Sequence, residues 1–481
     1  MKRVTRPHHC RTGGCTRHDP ATLVAAIVAI VAVLGSVVAW QPSADAGLAA
    51  PAPDCTVPET EREVARPEDL AARYEYASLH ESGHDGRGLV AAQLQFGQSV
   101  GLEEFRFFQQ CLELRQMPVT QWRFADGAAT EIATGDTASL PAPGREAQSD
   151  LEIIAGAAPG LDHVHVLVAE PGAPFIPTLT AMLRTLADGS ATGGRPPDIV
   201  SMSYGICEAQ LTTSEMSTVN DALATLANGG TWFFKGAGDS GSTDCVPKSE
   251  CQNADAPVSV HFPASSPWVT SVGGTEVLKA HTGGTPLTGT ARVWNAKSRV
   301  DTDCSAGGGG LSTAARPTWQ DVVPGGSTPA TRGVPDIAAL AGRPYQLTYL
   351  PPVVPAGNVD DPTASPSVPA MWSWVGNGGD SLSGPLMAGA FASLRSALLA
   401  SGVEVPTLVN PMLYEIASNA GHYDRVFADI TEGDNAINTT VCCTAGAGYD
   451  LTSGLGEIRI AALLAVLSEP KPVPVTPSFT G

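Results

Sequence analysis

Four short apolar runs, set between stretches of helical period, constrain the fold of this chain more than any other feature of it. Residues 88–95 (GLVAAQLQ), 163–169 (HVHVLVA), 198–203 (DIVSMS) and 231–235 (TWFFK) are brief and almost continuously apolar, which suits strands buried on both faces. Between the last two, residues 214–227 place apolar side chains at helical spacing and stop at Gly229-Gly230. Strand, helix and strand in that order call for right-handed crossovers and a parallel sheet covered on both sides. The expectation is therefore an α/β chain with three layers, α/β/α, around a mainly parallel central sheet. Sites in such sheets lie at the carboxyl ends of strands. The loops of interest are those after Ser203, after Lys235, and before the helix near Pro385.

The beginning of the chain reads differently. Residues 1–20 carry five basic residues and one acid, and residues 21–40 (ATLVAAIVAIVAVLGSVVAW) carry no charge. Twenty apolar residues are enough to span a bilayer, and the basic flank would keep the N-terminus cytoplasmic. The other reading is a signal peptide, for which Ala44-Asp45-Ala46 offers a small-x-small cleavage site. Both make the remainder extracytoplasmic, membrane-anchored or secreted. Residues 41–65 read as a linker, 66–468 as the folded domain, and 469–481 as a proline-rich disordered tail. The whole chain has a net charge of −20, so the part after residue 20 carries −24. That excess of acid excludes a basic nucleic-acid footprint and suits an acidic milieu.

Ten cysteines include Cys10 and Cys15 in the N-terminal segment, leaving eight beyond it. Outside the cell an even number points to disulfides, with pairing left open by the spacing. The neighbours Cys442 and Cys443 are expected to bond to other cysteines rather than to each other.

Three segments resemble catalytic signatures. His80-Glu81-Ser82-Gly83-His84 matches HExxH, which binds zinc when both histidines share a helical face. Gly83 and the following Asp85-Gly86-Arg87-Gly88 break such a helix, so the segment reads as a loop. Gly238-Asp239-Ser240-Gly241 resembles a serine-protease nucleophile motif but continues Ser242-Thr243-Asp244 instead of Gly-Pro. Gly379-Asp380-Ser381-Leu382-Ser383-Gly384-Pro385 precedes a long stretch of small and apolar residues ending at Gly402, which is a helix. A serine at the start of a helix meets free N–H groups that favour negative charge, a suitable place for an oxyanion to form. A serine nucleophile needs a base, and no histidine stands in a His-Gly-Thr context. Glu146 and Asp150, four residues apart, instead share one helical face, where two carboxyls in a cleft can act as a base and acid couple.

Taken together in order, E-x-x-x-D (Glu146, Asp150), S-x-S-Y-G (Ser201 to Gly205), GDSGS (from Gly238) and G-x-S-x-S-x-P (from Gly379) resemble the sedolisin family of serine-carboxyl peptidases. The resemblance covers residues 67–467 and includes PWVTSVGGT (267–275), the glycine run 307–310 and VPDIAA (334–339). It implies a subtilisin-like fold and hydrolysis of peptide or protein substrates by endopeptidase or tripeptidyl-peptidase action. Ser381 would attack the scissile carbonyl, Glu146 would accept its proton, and Asp150 would support Glu146. Protonated Asp239 would donate to the oxyanion beside the Ser381 N–H, while Ser203, Tyr204 and Gly205 would pair with the substrate backbone. An ordinary aspartic acid is about half protonated at pH 4 and about one part in a thousand at pH 7, so the implied optimum is acidic. The resemblance also implies one structural Ca2+, held by Asp429, Asp450 and the carbonyls of Ile430, Gly446 and Gly448. A monomer is expected.

The chain departs from the family pattern in three places. Asp380 stands where threonine usually precedes the nucleophile, Gln95 stands where a strand often supplies another glutamate, and the linker leaves no room for the usual large N-terminal prosegment. Asp380 and the missing prosegment favour one alternative, a catalytically weak or inactive peptide-binding surface domain.

Overall fold

Successive side chains of a strand face opposite ways, so a strand buried on both faces must feed two cores. In the computed structural model Ile199 and Val200, Trp232 and Phe233, and Val166 and Leu167 alternate between two separate apolar clusters, one on each side of a single sheet. The structure describes residues 55–58, 64–133, 135–243, 245, 257–277, 287–296, 304–352, 371–437 and 442–470, all within the unit spanning residues 53–481. The proposed membrane or signal segment and almost all of the tail lie outside the described residues.

Among the described residues the sheet has 11 strands, and its central seven are parallel. In spatial order these are Ile337–Leu340, Thr270–Val277, Trp232–Gly236, Ile199–Met202, Val90–Phe96, His163–Ala169 and Val119–Ala125. The strand order jumps repeatedly along the chain, as crossover connections require. The helices Arg145–Ala157 and Asp380–Ser401 cover one face, and Phe175–Ala187 and Thr213–Asn228 cover the other. The expected runs are therefore strands with ends displaced by a residue or two, and the run 163–169 is a strand over its full length.

The helix Asp380–Ser401 meets the requirement of length and apolarity for a membrane span, yet it is buried in the protein core. Its small residues explain how it lies so close to the sheet. Gly384 leaves room for the backbone of Gly236, and Gly389 leaves room for Ala157.

Two expectations need correction. Residues 77–81 form a short helix, so His80 and Glu81 are helical and only Ser82 to His84 lie beyond it. Gly83 has φ +81° and ends the turn as anticipated, which keeps His84 off the helical face. His80 Nε2 lies 3.2 Å from the Ala157 carbonyl and 3.0 Å from Ser393 Oγ, so the imidazole ties helices together. The second correction concerns Cys442 and Cys443, which bond to each other. Cys55 pairs with Cys111, Cys207 pairs with Cys245, and Cys304 is also disulfide-bonded, which among the described residues leaves the two neighbours only one another.

Candidate active site

Loops at the carboxyl ends of the adjacent strands Ile199–Met202 and Trp232–Gly236 meet the turn that opens the helix Asp380–Ser401. Ser381 is the second residue of the helix Asp380–Ser401, half-buried, behind Gly379 with φ +121°. That backbone region is closed to side chains, and a β-carbon at Gly379 would also press on the Asp239 carboxyl, 2.9 Å away. Asp239 follows the strand Trp232–Gly236, and its Oδ1 accepts a 2.6 Å hydrogen bond from the Asp380 amide. Asp239 therefore lies directly against the turn that carries Ser381.

Glu146 and Asp150 occupy the first turns of the helix Arg145–Ala157, with Glu146 half-buried and Asp150 buried. Asp150 Oδ2 accepts from Gln95 Nε2 at 2.8 Å, and Asp150 Oδ1 lies 2.8 Å from Ser203 Oγ. Burial raises the Asp150 pKa well above the usual carboxylate range, and the neighbouring Glu146 charge raises it further. Bonds from Ser203 and Gln95 pull the other way and do not prevail. Gln95 thus keeps the contact that a glutamate could make only by sharing a proton.

Ser203, Tyr204 and Gly205 follow the strand Ile199–Met202 and are half-buried. Burial raises the Tyr204 pKa, with Glu146 and Asp150 adding to the effect, so the phenol stands near the acidic pair. Ser203 Oγ also donates to the Ser381 carbonyl at 2.9 Å. Pro385 explains why that carbonyl is open: a proline has no N–H to give the carbonyl four residues earlier. Two segments that the sequence could only place in order, S-x-S-Y-G and S-x-S-x-P, are joined by this one bond.

Asp380 is fully buried, and its Oδ2 accepts from the Gly308 amide at 3.1 Å. A β-carbon at Gly274 would collide with its Oδ1. Its carboxyl is thus housed among the backbones of Gly274 and Gly308, while its own N–H holds Asp239. Sequence reasoning missed this housing, although the glycine run 307–310 was its visible sign. It also missed Lys235, whose Nζ lies 2.8 Å from both the Gly236 carbonyl and His261 Nδ1. A charge closing an otherwise apolar run was the available signal.

The proposed calcium residues gather at one edge of the sheet. Asp429 Oδ2 accepts from Gly448 N at 2.8 Å, and Asp450 Oδ2 accepts from Gly446 N at 2.9 Å. Ile430 follows Asp429 directly and is buried. Among the described residues no group of three or more acidic, histidine or cysteine side chains gathers to hold a metal. Two carboxylates completed by backbone carbonyls nevertheless fit a hard cation, which prefers oxygen ligands.

No protein-family model matches the chain. Kumamolisin from a Bacillus species is 30% identical over 409 residues, covering 83% of this chain and 63% of kumamolisin. Tripeptidyl-peptidase sed5 of Aspergillus fumigatus is 31% identical over 281 residues, and sedolisin of a Pseudomonas species is 28% identical over 290. The chain spans 42% and 43% of those two relatives. In three dimensions it superposes on Pseudomonas sedolisin, a serine-carboxyl proteinase complexed with two molecules of pseudo-iodotyrostatin, with a TM-score of 0.65 at 22% identity. That match covers 84% of this chain and 98% of the sedolisin chain. The fold is thus of the subtilisin-like class found in serine-carboxyl proteinases. In sequence and in fold the chain is similar to members of the sedolisin family.

Proposed function

We propose that this chain is an extracytoplasmic serine-carboxyl peptidase that hydrolyses peptide bonds in acid. The reading rests chiefly on one observation: Asp239 and Asp150 both reach the Ser381 turn, the first through the Asp380 amide and the second through Ser203. Ser381 Oγ attacks the scissile carbonyl carbon as its proton passes to Glu146, which Asp150 supports from the next helical turn. The carbonyl π pair moves to oxygen, where the Ser381 N–H and a protonated Asp239 donate hydrogen bonds. Collapse expels the amine, which takes the proton from Glu146, and water repeats the sequence to release the acid. A carboxylic acid donates where a carboxylate cannot, so activity falls as pH rises. Ser203, Tyr204 and Gly205 align the substrate backbone. Asp429, Asp450 and the carbonyls of Ile430, Gly446 and Gly448 would hold a structural calcium ion. The disulfides fit the oxidising compartment that the N-terminal segment implies.

The test is cleavage of a peptide library by the full-length chain with calcium, from pH 3 to 8. Activity should rise toward acid and fall at least about a thousandfold in Ser381→Ala, with large losses in Glu146→Ala and Asp239→Ala. Products three residues long from free N-termini would identify a tripeptidyl-peptidase; internal products would identify an endopeptidase. A folded protein that cleaves nothing at any pH would refute the reading.

A further inference from the structure

A lysine inside a protein core must hand its protons to fixed acceptors, and those acceptors show what it holds in place. Lys235 is fully buried on the strand Trp232–Gly236, directly opposite Met202, the residue before Ser203. Its Nζ donates to the Gly236 carbonyl at 2.8 Å and meets His261 Nδ1 at 2.8 Å. An ammonium only donates, so Nδ1 accepts and the imidazole proton resides on Nε2. That edge of the ring rests on Gly205. A β-carbon there would lie 2.8 Å from His261 Nε2, and the imidazole bonds the Gly205 backbone. The contact is braced by a short antiparallel pairing of Ile206–Cys207 with His261–Phe262. At the other end of the relay, Gly236 has no room for a β-carbon because the Asp380 carbonyl lies against it, at the start of the nucleophile helix.

We propose that Lys235 and His261 are a positioning pair that ties the Ser203–Gly205 edge to the end of the strand Trp232–Gly236 that leads into Asp239, fixing the width of the cleft in which a peptide strand lies. The relay runs from the Gly236 carbonyl, at the end of the strand that leads to Asp239, through Nζ and the imidazole to the Gly205 backbone. Burial and the adjacent ammonium hold the His261 pKa well below the usual histidine range, which keeps Nδ1 an acceptor in acid. A phenyl ring, slightly larger and without nitrogens, breaks the relay, whereas glutamine retains a donor where Nε2 stood.

This inference rests on residues 203–205 being the substrate edge, so the test separates the two. Peptide binding is measured in full-length Ser381→Ala protein, with a decapeptide that the parent cleaves, or with the library if the parent cleaves nothing. Adding Lys235→Met or His261→Phe should weaken binding at least about tenfold, while His261→Gln stays within about threefold. In the cleaving background the same pair should raise KM far more than it lowers kcat, since the edge holds substrate and transition state alike. Affinities within twofold of the parent overturn the proposal, as does a glutamine variant as weak as the phenylalanine one, which would mark a purely structural role. Absence of peptide binding in the Ser381→Ala parent overturns it too. A parent that binds peptide but cleaves none refutes the peptidase reading alone, and the binding comparison still decides the pair.

Discussion

Ser203 has one hydroxyl proton and two neighbours that would accept it, Asp150 Oδ1 at 2.8 Å and the Ser381 carbonyl at 2.9 Å. A backbone carbonyl never donates, so if it receives the Ser203 proton the Asp150 contact is a hydrogen bond only when Asp150 is itself the donor. The raised pKa of Asp150 agrees, because burial favours its neutral form. In that neutral form Asp150 passes a hydrogen bond to Ser203, and Ser203 passes one to the nucleophile's own carbonyl, whereas an ionised Asp150 competes with that carbonyl for the Ser203 proton. Pro385 sets this up by withholding an N–H. The count yields a coupling that urea denaturation of four proteins can read. Ser203→Ala should cost at least about 1 kcal/mol by removing the hydrogen bond of a half-buried carbonyl. In a Pro385→Ala background the helix supplies the missing N–H, and the cost of Ser203→Ala should fall by about 1 kcal/mol. Equal costs in both backgrounds would mean that the Ser203 hydroxyl does not stabilise the Ser381 carbonyl. The same Ser203→Ala change should lower kcat at least about tenfold at acid pH, through a misplaced Asp150.

The helix Arg145–Ala157 carries Glu146, Asp150 and a third acid, Glu152, which is fully buried and outside the proposed chemistry. Both its oxygens are used, accepting from Gln148 Nε2 and from the Tyr349 amide at 2.7 Å each. Burial outweighs these bonds and raises the Glu152 pKa well above its ordinary 4.5. A carboxyl raised in the folded state contributes its full stability below the unfolded value and loses it as pH climbs through the folded one. Glu152→Gln gives up one acceptor at every pH but not this loss. Its stability deficit against the parent should therefore shrink from pH 4 to pH 8, and a constant deficit would mean that Glu152 does not titrate in that window. Much at this scale was legible in the sequence. The four-residue spacing of Glu146 and Asp150 put them on one helical face, and continuous apolar runs marked the strands, because both signals are local. The relay from Lys235 to His261 was not legible, since the partners are brought together by the pairing of residues 206–207 with 261–262, which no periodicity encodes. The segment 80–84 misled for a related reason. His80 extends a helical turn because Ala157 and Ser393 hold its ring, a tertiary contact that no local propensity reveals.

Across the whole molecule the acid excess is the dominant electrostatic fact, with a net charge of −20. Two of its carboxylates, Asp429 and Asp450, come together at the edge of the sheet built by the last part of the chain. The strand Phe427–Ala428 pairs antiparallel with Glu457–Ile458, which joins Ile337–Leu340 by a single parallel contact. Asp429 leaves the first of these strands, and Asp450 sits in the turn before the second, where its Oδ1 accepts from the Thr452 and Ser453 amides at 2.8 and 2.9 Å. Tyr423 reports on both acids: its hydroxyl donates to Asp429 Oδ1 at 3.1 Å, and burial with the charges of Asp429 and Asp450 raises its pKa. Two anionic side chains so placed repel in a segment tied to the core by few strand contacts, and a divalent cation would turn that repulsion into a cross-link. A ligand bound only by the folded state stabilises it by about 2.7 kcal/mol at a hundred times its Kd. The melting temperature of chelator-treated protein at pH 6 should therefore climb with added calcium by several degrees, and magnesium should do less because it demands a tighter octahedral shell. Asp429→Asn and Asp450→Asn should each abolish that increment. A melting temperature indifferent to calcium, in parent and variants alike, would show that hydrogen bonds to the Gly446 and Gly448 amides hold this edge without a metal.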